Sequence, residues 1–341
     1  MAHALRTVAA ALFAYGCLSA FAQTTSPSPP PKNAVTLAPV LVRGVVPGPA
    51  LWKISKNGHV MWVLGITSPL PKQIQWDSTK VDHLIAHSQQ VLELPGYSLY
   101  MGGSSGGPDL EALEQAKELP DGKTLQQVLP PDLYSRWAAA KNRYLHGFHG
   151  WGVDRLRPVL AATKLYDAAL SQSGLTPTGK VEETVYALAA RHWVRVVNTE
   201  YVLKVNNANK LLNQFTKTSL QGQGCMRSTL DEVDQNFPRA TALANAWATG
   251  DLPALRKLLS SQQQDPCFSD FSEMWGIDDM PERVRHAWIT AAQDALEKDV
   301  QSVALLPMID LMRADGYLDA LERTGYDVQA PESLGETNAD P

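Results

Sequence analysis

Two histidines, His83 and His87, lie four residues apart in the segment VDHLIAHSQQ. The apolar residues of that segment recur at helical spacing, and residues four apart share one face of a helix, so the two imidazoles have a spacing that can hold a metal ion. The interposed Leu84 and Ile85 indicate that a different face meets the core, and no His-Glu-x-x-His pattern is present. We therefore interpret both as surface histidines and keep shared metal binding as the alternative.

Two loop segments carry residue types that also occur in catalytic sites. His146 and His149 flank Gly147 and Phe148, but nothing in the sequence fixes their geometry. The segment GSSGG at residues 103–107 matches the Gly-x-Ser-x-Gly pattern of a nucleophilic serine, which requires a strand before it and a helix directly after it. Glycine and proline surround it instead, so we interpret it as a flexible loop, with a lid over a cleft as the alternative.

The beginning of the chain has the layout of a secretory signal. Arg6 precedes an apolar run, and the small-residue ending Ala-Phe-Ala closes at Ala22. We expect cleavage after Ala22, which removes residues 1–22 and places the mature protein in the periplasm or outside the cell. Lipidation at Cys17 is the alternative, and the bulky Tyr15 close to that cut argues against it.

Composition and charge argue against two classes of partner. The chain has 30 Lys and Arg against 35 Asp and Glu, a formal net charge of −5, and it contains no clustered basic stripe. Nucleic acids and anionic membrane surfaces are normally bound through such clusters, so neither is an expected partner. No stretch after the signal approaches the roughly 20 apolar residues of a membrane span, so we expect no integral span in the mature chain.

Two cysteines, Cys225 and Cys267, remain after the signal, an even number in a chain that is expected to be exported. A disulfide between them is the default interpretation in that compartment. A pair of metal thiolates is the rival interpretation, and it lacks nearby partner ligands.

Four stretches of different composition define the predicted domain organisation. Residues 23–35 form a Pro/Ser-rich linker that cannot build a packed core, and residues 332–341 are predicted to be a disordered tail. Residues 36–331 are interpreted as a single domain, in which a large helical insertion spans about residues 108–175.

The order of apolar runs within this domain predicts a mixed α/β (α+β) fold with a central β-sheet flanked by helices. Strand-like runs open it, LAPVLVRGVV, ALWKIS and HVMWVLGI, and the dipeptide Asn57-Gly58 between the last two is a strong hairpin signal. The run HVMWVLGI continues into a polar turn with prolines, which places Ser68 just beyond the end of a buried strand.

Five segments occur in an order that resembles the TraB/GumN family, which is related to the Tiki-type proteases and to the erythromycin-esterase and ChaN-like folds. The segments cover most of residues 45–331, and their order and spacing carry the resemblance, since no single one is decisive. They are PALW at 49–52, VLGITSPLP at 63–71, VLEL at 91–94, AWATGDLPALRKLL at 246–259 and DGYLDALERTGYDV at 315–328.

The resemblance implies a family site, and this sequence departs from it. The family's first strand usually ends in Gly-Thr-x-His, and here the pattern begins at Gly65 and has Ser68 in place of the histidine. A second family histidine, counted back from the Asp-Gly pair at 315–316, corresponds to Asp310, and Pro307 replaces the glycine before it. Glu93 matches the family's strand-end glutamate.

A further family pair, Arg-Asn, often precedes a tryptophan by four and three residues. Here the corresponding residues are Val284 and Arg285 before Trp288. The family-site positions Gly65, Ser68, Glu93 and Asp310 are therefore interpreted as vestigial, with no confident catalytic residue among them.

These replacements matter because a catalytic divalent metal needs about three oriented protein ligands and an open position, and a serine hydroxyl is a weak substitute for imidazole. The first hypothesis is an exported relative of metal-dependent peptidases that has lost catalysis, holds no cofactor and binds an unknown protein or peptide ligand. The second is an active metal-dependent hydrolase, with Mn²⁺, Mg²⁺ or Ca²⁺ held by the carboxylates of Glu93, Asp310 and Glu200. The third is a scaffold in envelope or polysaccharide assembly, suggested by the GumN name and the export signal.

Overall fold

We describe the protein from a computed structural model, which covers residues 48–100, 110–178, 180–205, 207, 209, 222–260, 267, 270, 277 and 279–331. All of these belong to one compact unit, residues 44–341. The expected signal, linker and tail, the strand-like run LAPVLVRGVV and the loop at 103–107 lie outside the described residues.

Ten strands are described, and six of them form one mixed sheet in the order β10-β1-β2-β9-β4-β7. Their bounds are Leu51–Lys56 (β1), His59–Ile66 (β2), Leu70–Pro71 (β3), Gln90–Leu92 (β4), Tyr97–Tyr100 (β5), Leu175–Thr176 (β6), Arg195–Val197 (β7), Tyr201–Lys204 (β8), Gln301–Pro307 (β9) and Asp327–Gln329 (β10).

Helices flank this sheet and also form a separate group, so the mixed α/β class expected from the sequence is confirmed. The described α-helices are Thr79–Ala86 (α1), Leu110–Lys117 (α2), Leu125–Val128 (α3), Pro131–Tyr144 (α4), Pro158–Gln172 (α5), Val181–Arg191 (α6), Gln223–Asp231 (α7), Ala240–Ala248 (α8), Leu252–Leu259 (α9), Met280–Lys298 (α10), Met308–Leu311 (α11) and Tyr317–Arg323 (α12).

The hairpin between β1 and β2 forms at the dipeptide that predicted it. Asn57 and Gly58 both have positive φ, 52° and 87°, which is the backbone of the tight turn that matches the twist of paired strands. The register runs from Lys56 opposite His59 to Leu51 opposite Leu64. Asn and Gly accept this left-handed conformation at low cost, so a local signal fixes the pairing.

The centre of the sheet is parallel and buried on both faces. β2 pairs with β9, β9 with β4, and β4 with β7, each in parallel. Residues 302–306 of β9 are all buried, which explains the continuous apolar run VALL, because helices cover both faces of such strands. The carboxyl ends of these strands therefore meet at one edge of the sheet.

Helices α3, α4, α5 and α7 pack around a second apolar cluster, apart from the core of the sheet. Trp137, Leu133 and Leu165 are fully buried there, together with Met226 of α7. Helix α7, which follows β8 in the chain, thus packs with helices of the insertion that the sequence predicted at about 108–175. Among the described helices, none combines the length and the apolar character that crossing a membrane requires.

A small parallel sheet was missed at the sequence level. Leu99 and Tyr100 end β5, which pairs in parallel with β8 from Tyr97 opposite Tyr201 onward. The sequence does not indicate this pairing, because the partner strand lies about a hundred residues away.

Candidate functional site

The parallel pairing of β2 with β9 brings two distant segments of the family motif to one place. Ile66 at the end of β2 lies opposite Pro307 at the end of β9. Ser68 follows β2 by two residues and is exposed, and Asp310 lies on α11, the short helix that begins directly after β9. Both positions line one cavity.

Gly65 allows this close approach. A Cβ atom at position 65 would lie 2.6 Å from Met308 Cε and 2.8 Å from Leu311 Cδ1, and Cβ atoms in proteins essentially never come this close to another heavy atom. α11 therefore packs directly on the backbone of β2 because position 65 has no side chain. Gly316 plays the same part on the other side, since its Cβ would lie 2.5 Å from the carbonyl oxygen of Asp310.

Two buried tryptophans hold the strand ends in position. The indole N–H of Trp247 on α8 donates to the carbonyl oxygen of Gly65 at 2.6 Å. The indole N–H of Trp288 on α10 is shared between the carbonyl oxygens of Glu93 at 3.1 Å and Leu305 at 3.2 Å. Both indoles are fully buried, so each N–H needs these acceptors and each bond ties a helix to the sheet edge.

The cavity at this edge has a volume of about 1390 Å³ and is lined by two groups of elements. The ends of β2 and β9, with α10, α11 and the start of α12, supply one group of lining residues. The group around α5, α7 and the π-helical turn Glu232–Asn236 supplies the other. Polar lining residues include Ser68, Glu282, Arg285, Asp310, Arg313, Asp315 and Tyr317 from the first group, and Tyr166, Arg227, Ser228, Asp231, Glu232, Gln235 and Asn236 from the second.

Two ion pairs lie on the sheet side of the cavity. Arg285 donates to both carboxylate oxygens of Glu282, at 2.8 and 2.9 Å. Asp310 lies 3.7 Å from the guanidinium of Arg313, and its side chain is 24% exposed. Burial raises the pKa of the Asp310 carboxyl, and the nearby Arg313 guanidinium, which lowers it, offsets only part of this effect.

Tyr317 completes this side of the cavity. Its ring packs edge-on against Trp288, with centroids 5.4 Å apart at 87°. Burial, followed by the negative charge of Asp310, raises the pKa of the Tyr317 phenol above its ordinary value, so it stays a neutral hydroxyl at neutral pH. Sequence analysis missed Arg313 and Tyr317, although the three-residue spacing from Asp310 to Arg313 is a recognisable helical ion-pair signal.

Glu93 lies in a different environment from Asp310. Its backbone N–H donates to the carbonyl of Val197 at 3.0 Å, which extends the pairing of β4 with β7. Burial raises the pKa of the Glu93 carboxyl, and the charges of Glu200 and Glu182 raise it further. Glu93 thus interacts electrostatically with other carboxylates and with Tyr186. The pKa of the Tyr186 phenol is raised chiefly by burial and also by the charges of Glu182 and Glu93.

These positions do not assemble the carboxylate site of the second hypothesis. Within the part of the chain that the structure describes, no group of three or more His, Cys, Asp or Glu side chains is placed to hold a metal ion. Glu93, Glu200 and Asp310 therefore do not form such a group, and a catalytic divalent metal needs about three protein ligands at one point.

The predicted disulfide between Cys225 and Cys267 is present, with the Cα atoms 4.1 Å apart, and Cys267 lines the cavity. Cys225 lies on α7, and its backbone N–H donates to the carboxylate of Asp270 at 2.6 Å. The hydroxyl of Thr229 lies 3.7 Å from the sulfur of Cys267. The crosslink thus belongs to the wall of the cavity.

Three of the histidine candidates lie away from the lining of the cavity. His83 and His87 are exposed on α1 and just beyond it, as expected for surface histidines. His146 lies in the short connection after α4 and is exposed. Val284 and Arg285, which replace the family's Arg-Asn pair, both line the cavity.

Comparison with known proteins gives one match. A family model described as the TraB/PrgY/gumN family matches residues 50–330, a range that contains every described strand and both strand ends of the cavity. No curated protein and no solved structure matches the chain.

Proposed function

The chain belongs to the TraB/PrgY/gumN family, and we propose that it acts by binding a peptide or protein segment in the strand-end cavity, without metal-dependent hydrolysis. We place this activity in the periplasm or outside the cell, because the first 22 residues have the layout of a secretory signal.

The ion pair between Asp310 and Arg313 carries the proposal. Asp310 occupies the position where the family resemblance implies a histidine, and its carboxylate is 3.7 Å from a guanidinium. At the other motif position, Ser68 offers a hydroxyl. A carboxylate engaged by arginine and a serine hydroxyl are weak metal donors but ordinary groups for hydrogen bonding to a ligand.

The size and lining of the cavity favour an extended polypeptide over a small molecule. Its volume of about 1390 Å³ exceeds the roughly 300–1,000 Å³ of pockets for small ligands. Tyr97, Tyr166 and Tyr317 line it, together with Arg285 and Arg313. Tyrosine and arginine are the residue types enriched where proteins bind one another, because they combine contact area with hydrogen-bonding groups.

Selection of a displayed library of random linear peptides against the untagged protein tests this function. Selected peptides are then titrated by fluorescence anisotropy against the wild type and against Ser228→Trp, which places an indole at a half-buried lining position of α7. Ser171→Trp is the matched control, because Ser171 is also a helical serine but is exposed on α5 away from the lining residues.

We expect selected peptides to bind the wild type and Ser171→Trp equally, to bind Ser228→Trp at least tenfold more weakly, and to remain uncut after prolonged incubation. Equal binding to both tryptophan variants would place the peptide site outside the cavity. Cleavage that is abolished by Asp310→Ala would show that this member is an enzyme after all.

A further inference from the structure

A pair of imidazoles lies at the opposite end of the sheet from the cavity. His83 is in the last turn of α1, and His87 follows the helix end at Ala86. The side chain of Gln301, the first residue of β9, donates to the carbonyl of Leu84 between them at 2.9 Å. The cavity lies where β9 ends, six residues or roughly 20 Å further along the strand, so the two places are separate.

The two rings lie against each other in the open. Their centroids are 4.4 Å apart, with the planes tilted by 49°. α1 buries Val81 and Ile85 on a different face, while both histidines are exposed. A metal ion therefore has access to this pair from solvent, and the packing of α1 does not depend on either ring.

A backbone hydrogen bond fixes which nitrogen of His87 can bind a metal. Its Nδ1 lies 2.8 Å from the carbonyl oxygen of His83. A carbonyl only accepts, so Nδ1 carries the proton, and in the neutral ring Nε2 presents its lone pair. This is the arrangement that metal-bound histidines commonly have, in which the second ring nitrogen donates to a backbone carbonyl and orients the ligand.

From these observations we propose that His83 and His87 form a surface site for a divalent transition metal, with Cu²⁺ bound most tightly. Imidazole suits Cu²⁺, Ni²⁺ and Zn²⁺, and Cu²⁺ has the highest affinity for a given nitrogen site among these ions. No third His, Cys, Asp or Glu completes the set among the described residues. Water, or a donor from another molecule, fills the remaining coordination positions of the metal. The site is therefore open, and it is independent of the function proposed for the cavity.

Isothermal titration of the untagged protein with Cu²⁺ in a buffer that does not coordinate metals tests the site. All proteins in the series begin at Gln23, the expected start of the mature chain, so that His3 of the signal does not compete. The variants are His83→Ala and His87→Ala. The matched control is His286→Ala, which removes an exposed helical histidine that has no second histidine one turn away.

We expect one Cu²⁺ per chain in the reference protein and in the His286→Ala control. Each single variant of the pair should weaken binding by at least about tenfold, since loss of a group that merely orients a ligand already costs about 10–100-fold. Cu²⁺ should also raise the Tm of the reference protein, because it binds the native state, and should leave the Tm of the variants unchanged.

Electron paramagnetic resonance of the reference protein provides a readout that needs no variant. Two imidazole nitrogens coupled to the copper support the site. A single coupled nitrogen, no binding at micromolar Cu²⁺, or variants that bind as tightly as the reference protein would each overturn the proposal.

Discussion

The carboxylate of Asp310 lies 3.7 Å from the guanidinium of Arg313, three residues later, at the point where β9 gives way to α11. The pair and Ser68 line the same cavity, which lies at the ends of the parallel strands. The chain itself therefore supplies the charge partner of Asp310, and the guanidinium of Arg313 orients the Asp310 carboxylate. This relationship is the basis of the view that the site binds a ligand.

The first test concerns the pH dependence of stability. Burial raises the pKa of Asp310, so ionisation of this carboxyl costs more in the folded than in the unfolded state. Asp310→Asn should therefore be more stable than the wild type at neutral pH. The difference should shrink as the pH falls through the raised pKa and vanish below the ordinary value of 3.8, where both states are protonated. Urea unfolding at a series of pH values measures it.

Asp82→Asn is the control of opposite sign. Hydrogen bonds from His192 and Arg191 lower the pKa of Asp82, so its ionised form stabilises the fold above the ordinary carboxyl range. This variant should be less stable than the wild type at neutral pH, with the difference lost as the pH falls. If Asp310→Asn behaved like Asp82→Asn, the environment assigned to Asp310 would be wrong.

Gly65→Ala tests the close approach of α11 to β2. The added methyl group would lie within 2.8 Å of both Met308 Cε and Leu311 Cδ1, so the ends of these buried side chains have to move. Overpacking of this kind costs about 1–3 kcal/mol, and we expect a loss of that size in the free energy of unfolding. Gly96→Ala is the control, because its Cβ would meet the side chain of Glu200 at an ordinary 3.4 Å. Equal effects of the two substitutions would contradict the packing described.

Trp247→Phe removes the indole N–H that donates to the carbonyl of Gly65. A buried acceptor that loses its partner costs about 1–3 kcal/mol, so we expect a drop of that order in the free energy of unfolding. Trp193→Phe serves as the control, since Trp193 is 95% exposed, and it should change stability very little. A similar small change for both variants would mean that the bond to Gly65 has no structural role.

The disulfide should contribute strongly to stability. Cys225 and Cys267 close a loop with a sequence separation of 42, which corresponds to about 4 kcal/mol on the chain-entropy model. Cys225→Ala combined with Cys267→Ala should therefore lower the free energy of unfolding by about that amount and should match the wild type measured under reduction. A double variant as stable as the oxidised wild type would show that the crosslink adds nothing.

Local signals in the sequence predicted several elements well. The hairpin at Asn57-Gly58 and the strands β1 and β2 on either side of it follow from turn chemistry and apolar runs, both of which act within a few positions. The disulfide followed from an even number of cysteines in a chain expected to be exported, and the fold class followed from the order of apolar segments.

Long-range packing explains what could not be predicted. Gly65 meets Met308 across more than two hundred residues, and together with the pairing of β2 with β9 this contact sets Asp310 near the end of β2. The sequence grouped Glu93 with Asp310 and Glu200, and in the fold the charges that act on Glu93 are those of Glu200 and of Glu182 on α6. Composition carries no information about such groupings, since they depend on strand order and register.

Elemental analysis is the most direct test of the central claim. The untagged chain would carry His83→Ala and His87→Ala, so that the surface pair contributes nothing, and would be purified without chelators beside the same protein with Glu93→Ala and Asp310→Ala added. We expect no stoichiometric divalent ion in either protein. About one ion per chain that disappears when Glu93 and Asp310 are replaced would contradict the account and identify a metal centre at the family site.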